Sequence, residues 1–137
     1  MIVGERILEI NGNKAPGEAI RGLSINIAIE NVEKKAENLE ITYAYTADYQ
    51  EKAGQIRIRG VLMAKEENKR AKEITDMWKK NKKIPDDYAT TVLSALNYSG
   101  SANGTLIARV LGLTAPLIPP RIQLSKGGAA GAATGKK

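Results

Sequence analysis

Apolar residues fall at every second position in Leu23, Ile25, Ile27 and Ile29, with Ser24, Asn26, Ala28 and Glu30 between them. A period of two predicts a strand buried on one face. The alternation returns in Leu39, Ile41, Tyr43 and Tyr45 against Glu40, Thr42, Ala44 and Thr46. It returns again in Ile56 and Ile58 against Gln55, Arg57 and Arg59, running on through Val61 to Ala64. Arg6 to Asn11 predicts a first strand with Leu8 and Ile10 inward. Asn11 to Ala19, which contains Gly12, Pro16 and Gly17, predicts a long crossing, whereas Glu33 to Asn38 and Glu51 to Gly54 are of hairpin length. Four strands with no helix between them predict an antiparallel sheet, covered on one face and wet on the other.

From Glu66 the period becomes helical. Ala71, Ile74, Met77 and Trp78 form a stripe, and Glu66–Arg70 and Asp76–Lys80 are i,i+4 pairs in the favoured order. Pro85 ends this unit, and Asp86 and Asp87 open a second helix where carboxylates suit the dipole. An apolar seam then runs through Tyr88, Val92, Leu96, Ser99, Asn103, Leu106, Val110 and Leu113. Its centre, Ser99 to Gly104, is small and holds two glycines, which means either a break between helices or a close crossing that excludes bulk. The close crossing is the favoured reading, and it places Ser99, Gly100, Ala102, Asn103 and Gly104 in an oligomer interface. Gly112 terminates the helix, and Thr114 to Ile122, with Pro116, Pro119 and Pro120, is extended or irregular. From Gly127 the sequence GGAAGAATGKK is of low complexity and predicts a disordered tail. The expected architecture is one α+β domain over 1–126, a four-stranded antiparallel sheet followed by C-terminal helices, with a tail over 127–137.

The 137 residues suffice for one core. With 42% apolar and 26% charged residues, and no apolar run near the ~20 that span a bilayer, neither a disordered chain nor an integral membrane protein is expected. MIVGERILEI lacks the form of a secretory signal, so the expected location is the cytoplasm, without membrane insertion. The absence of Cys and His removes the commonest metal ligands, nucleophile and acid–base group, so no catalytic set, metal or cofactor is expected. Glu66–Glu67 and Asp86–Asp87 are adjacent on helices, diverge by ~100°, and read as caps and solubilising charge. The terminal Gly-Lys is not a phosphate loop, because Ala130 and Lys137 stand where Gly and Ser or Thr are needed.

The net charge of +6 is local. Eight basic and four acidic residues lie between Lys65 and Lys83, and Lys126, Lys136 and Lys137 add three more positive charges. Lys79, Lys80, Lys82 and Lys83 could contact phosphate, but a solvated helix end accounts for them without a ligand. Tyr43, Tyr45 and Trp78 continue buried stripes and read as core or interface, not as stacking platforms.

The order of elements from about Arg6 to Leu124 resembles the SecB family of export chaperones. The likeness is closest in Asn97 to Gln123, NYSGSANGTLIARVLGLTAPLIPPRIQ. SecB chains carry a long helix starting near an Asn, an apolar stretch ending in a Val-Xaa-Arg-Gly-like turn, and an extended Pro-containing segment leading to a final helix. Leu106 to Gly112 and Pro116 to Pro120 occupy those places here. The helix over Lys65 to Pro85 is longer than its family counterpart, and the Gly-Ala tail stands where the final helix would be. The resemblance implies ATP-independent binding of unfolded or nascent polypeptide, including preprotein targeting, by a homodimer or homotetramer with helices sandwiched between sheets. It further implies a client groove lined by Leu113, Leu117, Ile118 and Ile122, with Ser99 to Gly104 at the subunit crossing. SecB presents an acidic sheet surface to its motor ATPase SecA, whereas the outward face here mixes Glu40 and Asp48 with Arg57 and Arg59, which argues against SecA docking. SecB-like proteins outside the bacterial export pathway, including archaeal ones, are nearer in character. Two alternatives stand beside this reading: a basic nucleic-acid-binding module using Lys79 to Lys83 and the tail, and a structural or adaptor oligomer of the same fold with no clients.

Overall fold

The computed structural model describes residues 1–16, 22–117 and 131–134. Four long strands, β1 (Ile2–Lys14), β2 (Leu23–Lys35), β3 (Asn38–Tyr49) and β4 (Gly54–Lys65), precede two helices, α1 (Asn68–Asn81) and α2 (Asp86–Leu111). A short strand, β5 (Gly131–Thr134), follows them. All paired strands are antiparallel, in the spatial order β1-β4-β3-β2-β5. Successive hairpins join β2, β3 and β4, and β1 lies beside β4, which is a Greek-key arrangement. The long connection after β1 follows from this order, because the chain must cross from one side of the four-stranded sheet to the other. The α+β architecture is the expected one. Within the expected tail over 127–137, Gly131–Thr134 pair with β2, and 127–130 and 135–137 lie outside the described residues.

The alternating residues of β2, β3 and β4 form the core face: Ile25, Ile27, Tyr45, Ile56 and Ile58 are fully buried. In β2 a bulge preserves this face, since pairing shifts between Ile29 and Asn31 and the next buried residue is Val32. The extra residue, Glu30, accepts a bond from Arg59 Nη2 at 2.9 Å and lies 3.6 Å from Arg57. Arg59 also approaches Glu9 at 3.6 Å, and Arg6 approaches Glu40 at 3.7 Å. Exposed pairs of this kind contribute little to stability. Their effect is a second sheet face of mixed charge, as its sequence suggests.

β1 departs from its expected form. It is longer, and the residues expected inward, Leu8 and Ile10, are 48% and 53% exposed, although Ile10 does face the core side. Pairing with β4 shifts between Ile7 and Glu9, which makes Leu8 a bulge residue. Ile10 stands opposite the buried Ile58, but an edge strand has only one neighbour to cover it.

α1 lies over β2, and α2 lies mainly over β4 and β1, on the same face. α1 buries Ala71, Ile74, Thr75 and Trp78. Its ion pairs differ from the sequence spacing: Arg70 bonds Glu73 at 2.9 Å and Asp87 at 2.7 Å, tying the two helices, and Lys72 bonds Asp76 at 2.8 Å. Glu66 accepts the Tyr88 hydroxyl at 3.2 Å. α2 begins with Asp86 and Asp87 and ends on Gly112 in the left-handed conformation, as its termini predict. No helix among the described residues is long and apolar enough to cross a membrane.

α2 is continuous through Ser99 to Gly104. Its buried row is Tyr88, Val92, Leu96, Gly100, Gly104 and Ala108, so the expected seam holds only as far as Leu96. Gly100 and Gly104, expected at an oligomer interface, instead fit the helix to its own chain. A Cβ on Gly100 would overlap the Tyr45 ring, coming within 2.7 Å of Cγ, and one on Gly104 would lie 2.8 Å from Pro116 Cγ. Ser99 and Asn103 are half-buried beside this row, and Ala102 is exposed. Leu113, expected in a client groove, is buried, with its Cδ2 3.0 Å from where a Cβ on Gly54 would stand.

Candidate functional site

Among the described residues, the exposed large apolar side chains are confined to three stretches: Met1 to Ile10 on β1, Tyr98 to Val110 on α2, and Leu117. At 100° per residue, Ser99, Asn103, Leu106 and Val110 share one flank of α2. Ser99 Oγ donates to Glu5 at 2.5 Å, and Ile107 and Leu111, on the neighbouring face of the helix, meet β1 at Gly12. Ile7 and Ile10 stand opposite Gly60 and Ile58, so they lie on the same side of the sheet as α2. Leu106 at 64% exposure and Val110 at 86% stand out on α2, and Ile7 and Ile10 on β1, the two elements that meet at this seam. Tyr98 and Ala102 carry the exposed surface onto the outer side of the helix.

Beneath this seam lies a polar latch. Glu5 accepts from the Tyr43 hydroxyl and from Ser99, and Asn103 Nδ2 donates to Ser99 Oγ at 3.2 Å. Gly60 makes room for it, since a Cβ there would stand 2.8 Å from the Tyr43 hydroxyl and 2.9 Å from the Arg6 carbonyl oxygen. Burial first, and then the hydrogen bond to Glu5 and its charge, hold the Tyr43 phenol well above its ordinary pKa. Tyr43 is thus a neutral donor at physiological pH, and the cluster joins β1, β3 and α2.

Glu5→Ala should leave the Tyr43 hydroxyl and Ser99 without their acceptor, at a cost of ~1 to 3 kcal/mol. Glu5→Gln retains a carbonyl oxygen and should cost less. Thermal denaturation ranks the three proteins, and melting temperatures equal to the parent's in both variants would show that the latch contributes nothing.

The segment after α2 is pinned from two sides. The Tyr49 hydroxyl donates to the Thr114 carbonyl, and Pro116 is fully buried. Burial pushes the Tyr49 phenol up to about 12, so it too acts as a neutral donor. Leu117 emerges at 70% exposure. Of the four residues expected to line a groove, Leu113 is in the core, Leu117 is exposed, and Ile118 and Ile122 lie outside the described residues.

Two other features are chemically different. A depression of about 400 Å³ opens at the Gly54 end of the sheet, bordered by Asn13, Asp48, Tyr49, Lys52 and Gln55, where Gln55 donates to Asp48 at 2.7 Å. Lys79, Lys80, Lys82 and Lys83 are exposed at the end of α1, with Lys82 Nζ 5.4 Å from the Trp78 ring centroid. Among the described residues no group of three or more acidic side chains is placed to hold a metal ion.

Sequence reading missed both the inward Glu5 and the exposed apolar length of β1. The signal for the second was present: Ile7, Leu8 and Ile10 do not keep a single period of two, which is how a bulge reads in sequence. No family model, curated protein or solved structure matches the chain.

Proposed function

We propose that the protein binds unfolded or nascent polypeptide without ATP, as a homo-oligomer, in the manner of a SecB-like chaperone of the cytoplasm. The observation that supports this reading is the grouping of exposed apolar side chains along the β1–α2 seam and at Leu117, in place of single scattered residues. A binder that spends no nucleotide needs apolar surface to accept extended segments, a polar border for solubility, and several sites in one particle for avidity. Leu106, Val110, Ile7 and Ile10 supply the first, and the exposed charges beside them in sequence, Arg6, Glu9 and Arg109, the second. Assembly into a dimer or tetramer supplies the third, with the outer side of α2 around Tyr98 and Ala102 as the contact between copies. Gly100 and Gly104 have no part in that contact, being closed within the chain.

The test is light scattering from a denatured protein diluted into buffer without ATP. Suppression of aggregation is expected, and it should change little between about 50 and 200 mM salt, where phosphate-mediated binding falls steeply. No suppression by the parent protein defeats the reading and leaves a structural oligomer of the same fold. Tight, salt-sensitive binding of nucleic acid in its place would favour Lys79 to Lys83 as the functional surface.

A further inference from the structure

The two sides of the four-stranded sheet end differently. β2 is joined by β5 over Ser24–Ile27, with Ser24 opposite Thr134, Ile25 opposite Ala133, Asn26 opposite Ala132 and Ile27 opposite Gly131. On the far side, β1 pairs only with β4 among the described residues. β5 engages four residues of a thirteen-residue strand. This stretch of β2 is roofed, since Ile25 and Ile27 are fully buried and α1 packs over the strand.

The sequence of the occupant is informative. Gly and Ala are poor strand formers and bring little apolar area, so a Gly-Ala-Ala-Thr strand is held chiefly by its backbone pairing. Any extended segment free of proline can offer that pairing. A segment with Val, Ile or Thr opposite Ile25 and Ile27 would bring larger cross-strand side chains than Ala and Gly can offer.

We infer that the outer edge of β2 over Ser24–Ile27 is a strand-acceptor site for an extended, proline-free polypeptide segment, which the chain's own Gly131–Thr134 occupies as a weak and displaceable cap. The inference rests on the polypeptide-binding reading and adds to it a second grip, through the backbone, on the opposite side of the sheet from the β1–α2 seam. A resident cap of low affinity also shields an edge that would otherwise invite pairing between copies.

The test compares the full chain with Ala132→Pro/Ala133→Pro, which removes two adjacent backbone donors and so must break β5 pairing whichever of them faces β2. Hydrogen exchange reads the amides of Ser24 to Ile27, and fluorescence anisotropy follows a short labelled peptide of alternating Thr and Val. The proline variant should lose protection at the alternate amides of Ser24 to Ile27 that face β5, regain it with peptide, and bind the peptide about tenfold more tightly, the factor expected if the cap sits in place about nine-tenths of the time. Protection at Ser24 to Ile27 unaffected by the proline pair, or peptide protection falling only on β1 and α2, would overturn the inference. So would protection that returns without peptide as protein concentration rises, because the edge would then belong to a second copy. Aggregation suppression by the parent, measured alongside, keeps the two readings apart: its absence defeats the chaperone reading, whereas exchange at Ser24 to Ile27 decides the edge.

Discussion

Gly100→Ala is expected to lower the melting temperature by roughly 5 to 10 °C, although the same change on an exposed stretch of helix would stabilise it by up to ~1 kcal/mol. The added methyl group would overlap the ring of Tyr45, which is fully buried and lies beneath α2. Relief requires either lifting α2 from the sheet or turning a packed aromatic ring off its rotamer, and overpacking of this kind costs roughly 1 to 3 kcal/mol. The sign of the effect therefore decides between helix propensity and packing. A second variant makes the cause specific. Tyr45→Leu is itself destabilising, but combined with Gly100→Ala it should show a favourable coupling, because the shorter side chain vacates the space that the methyl group needs. A melting temperature raised by Gly100→Ala alone would mean that α2 does not rest on Tyr45.

Leu106→Ser/Val110→Ser is expected to remove most of the aggregation suppression while leaving the melting temperature within about 2 °C of the parent. Both side chains are more than half exposed on α2, and surface substitutions away from packed features usually change stability by less than ~0.5 kcal/mol. If a client segment buries them, each contributes about 1.5 to 3 kcal/mol, and losing both weakens binding by roughly a hundredfold or more. Light scattering measures the first effect and circular dichroism the second. Unchanged suppression with unchanged melting would remove the β1–α2 seam from the function. A large drop in melting temperature would show that these residues cover the core in solution, and their exposure could then not support client binding.

The regular alternation of Leu23–Ile29, Leu39–Tyr45 and Ile56–Ala64 determined three strands and their buried face, because side-chain direction in a strand follows from local backbone geometry. The carboxylates of Asp86 and Asp87 and the glycine at 112 likewise determined where α2 starts and stops, since helix ends are satisfied by neighbours in sequence. Which side of α2 would be buried was a different matter. Gly100 and Gly104 carry no apolar side chain to register in a pattern, yet they are buried because other parts of the chain supply the bulk, Tyr45 from a strand more than fifty residues earlier against Gly100 and Pro116 from beyond the helix against Gly104. Leu106 and Val110 register as core and are exposed, because α2 rests near the β1 edge, where no other element among the described residues covers them. The inward Glu5 depends on Tyr43 and Ser99, which only the Greek-key crossing of β1 to β4 brings within reach. β5 is a backbone pairing of small residues with a distant edge, and nothing in their composition marks them for it. Local geometry thus wrote the elements into the sequence, whereas the candidate site depends on which surfaces the tertiary arrangement leaves without a neighbour.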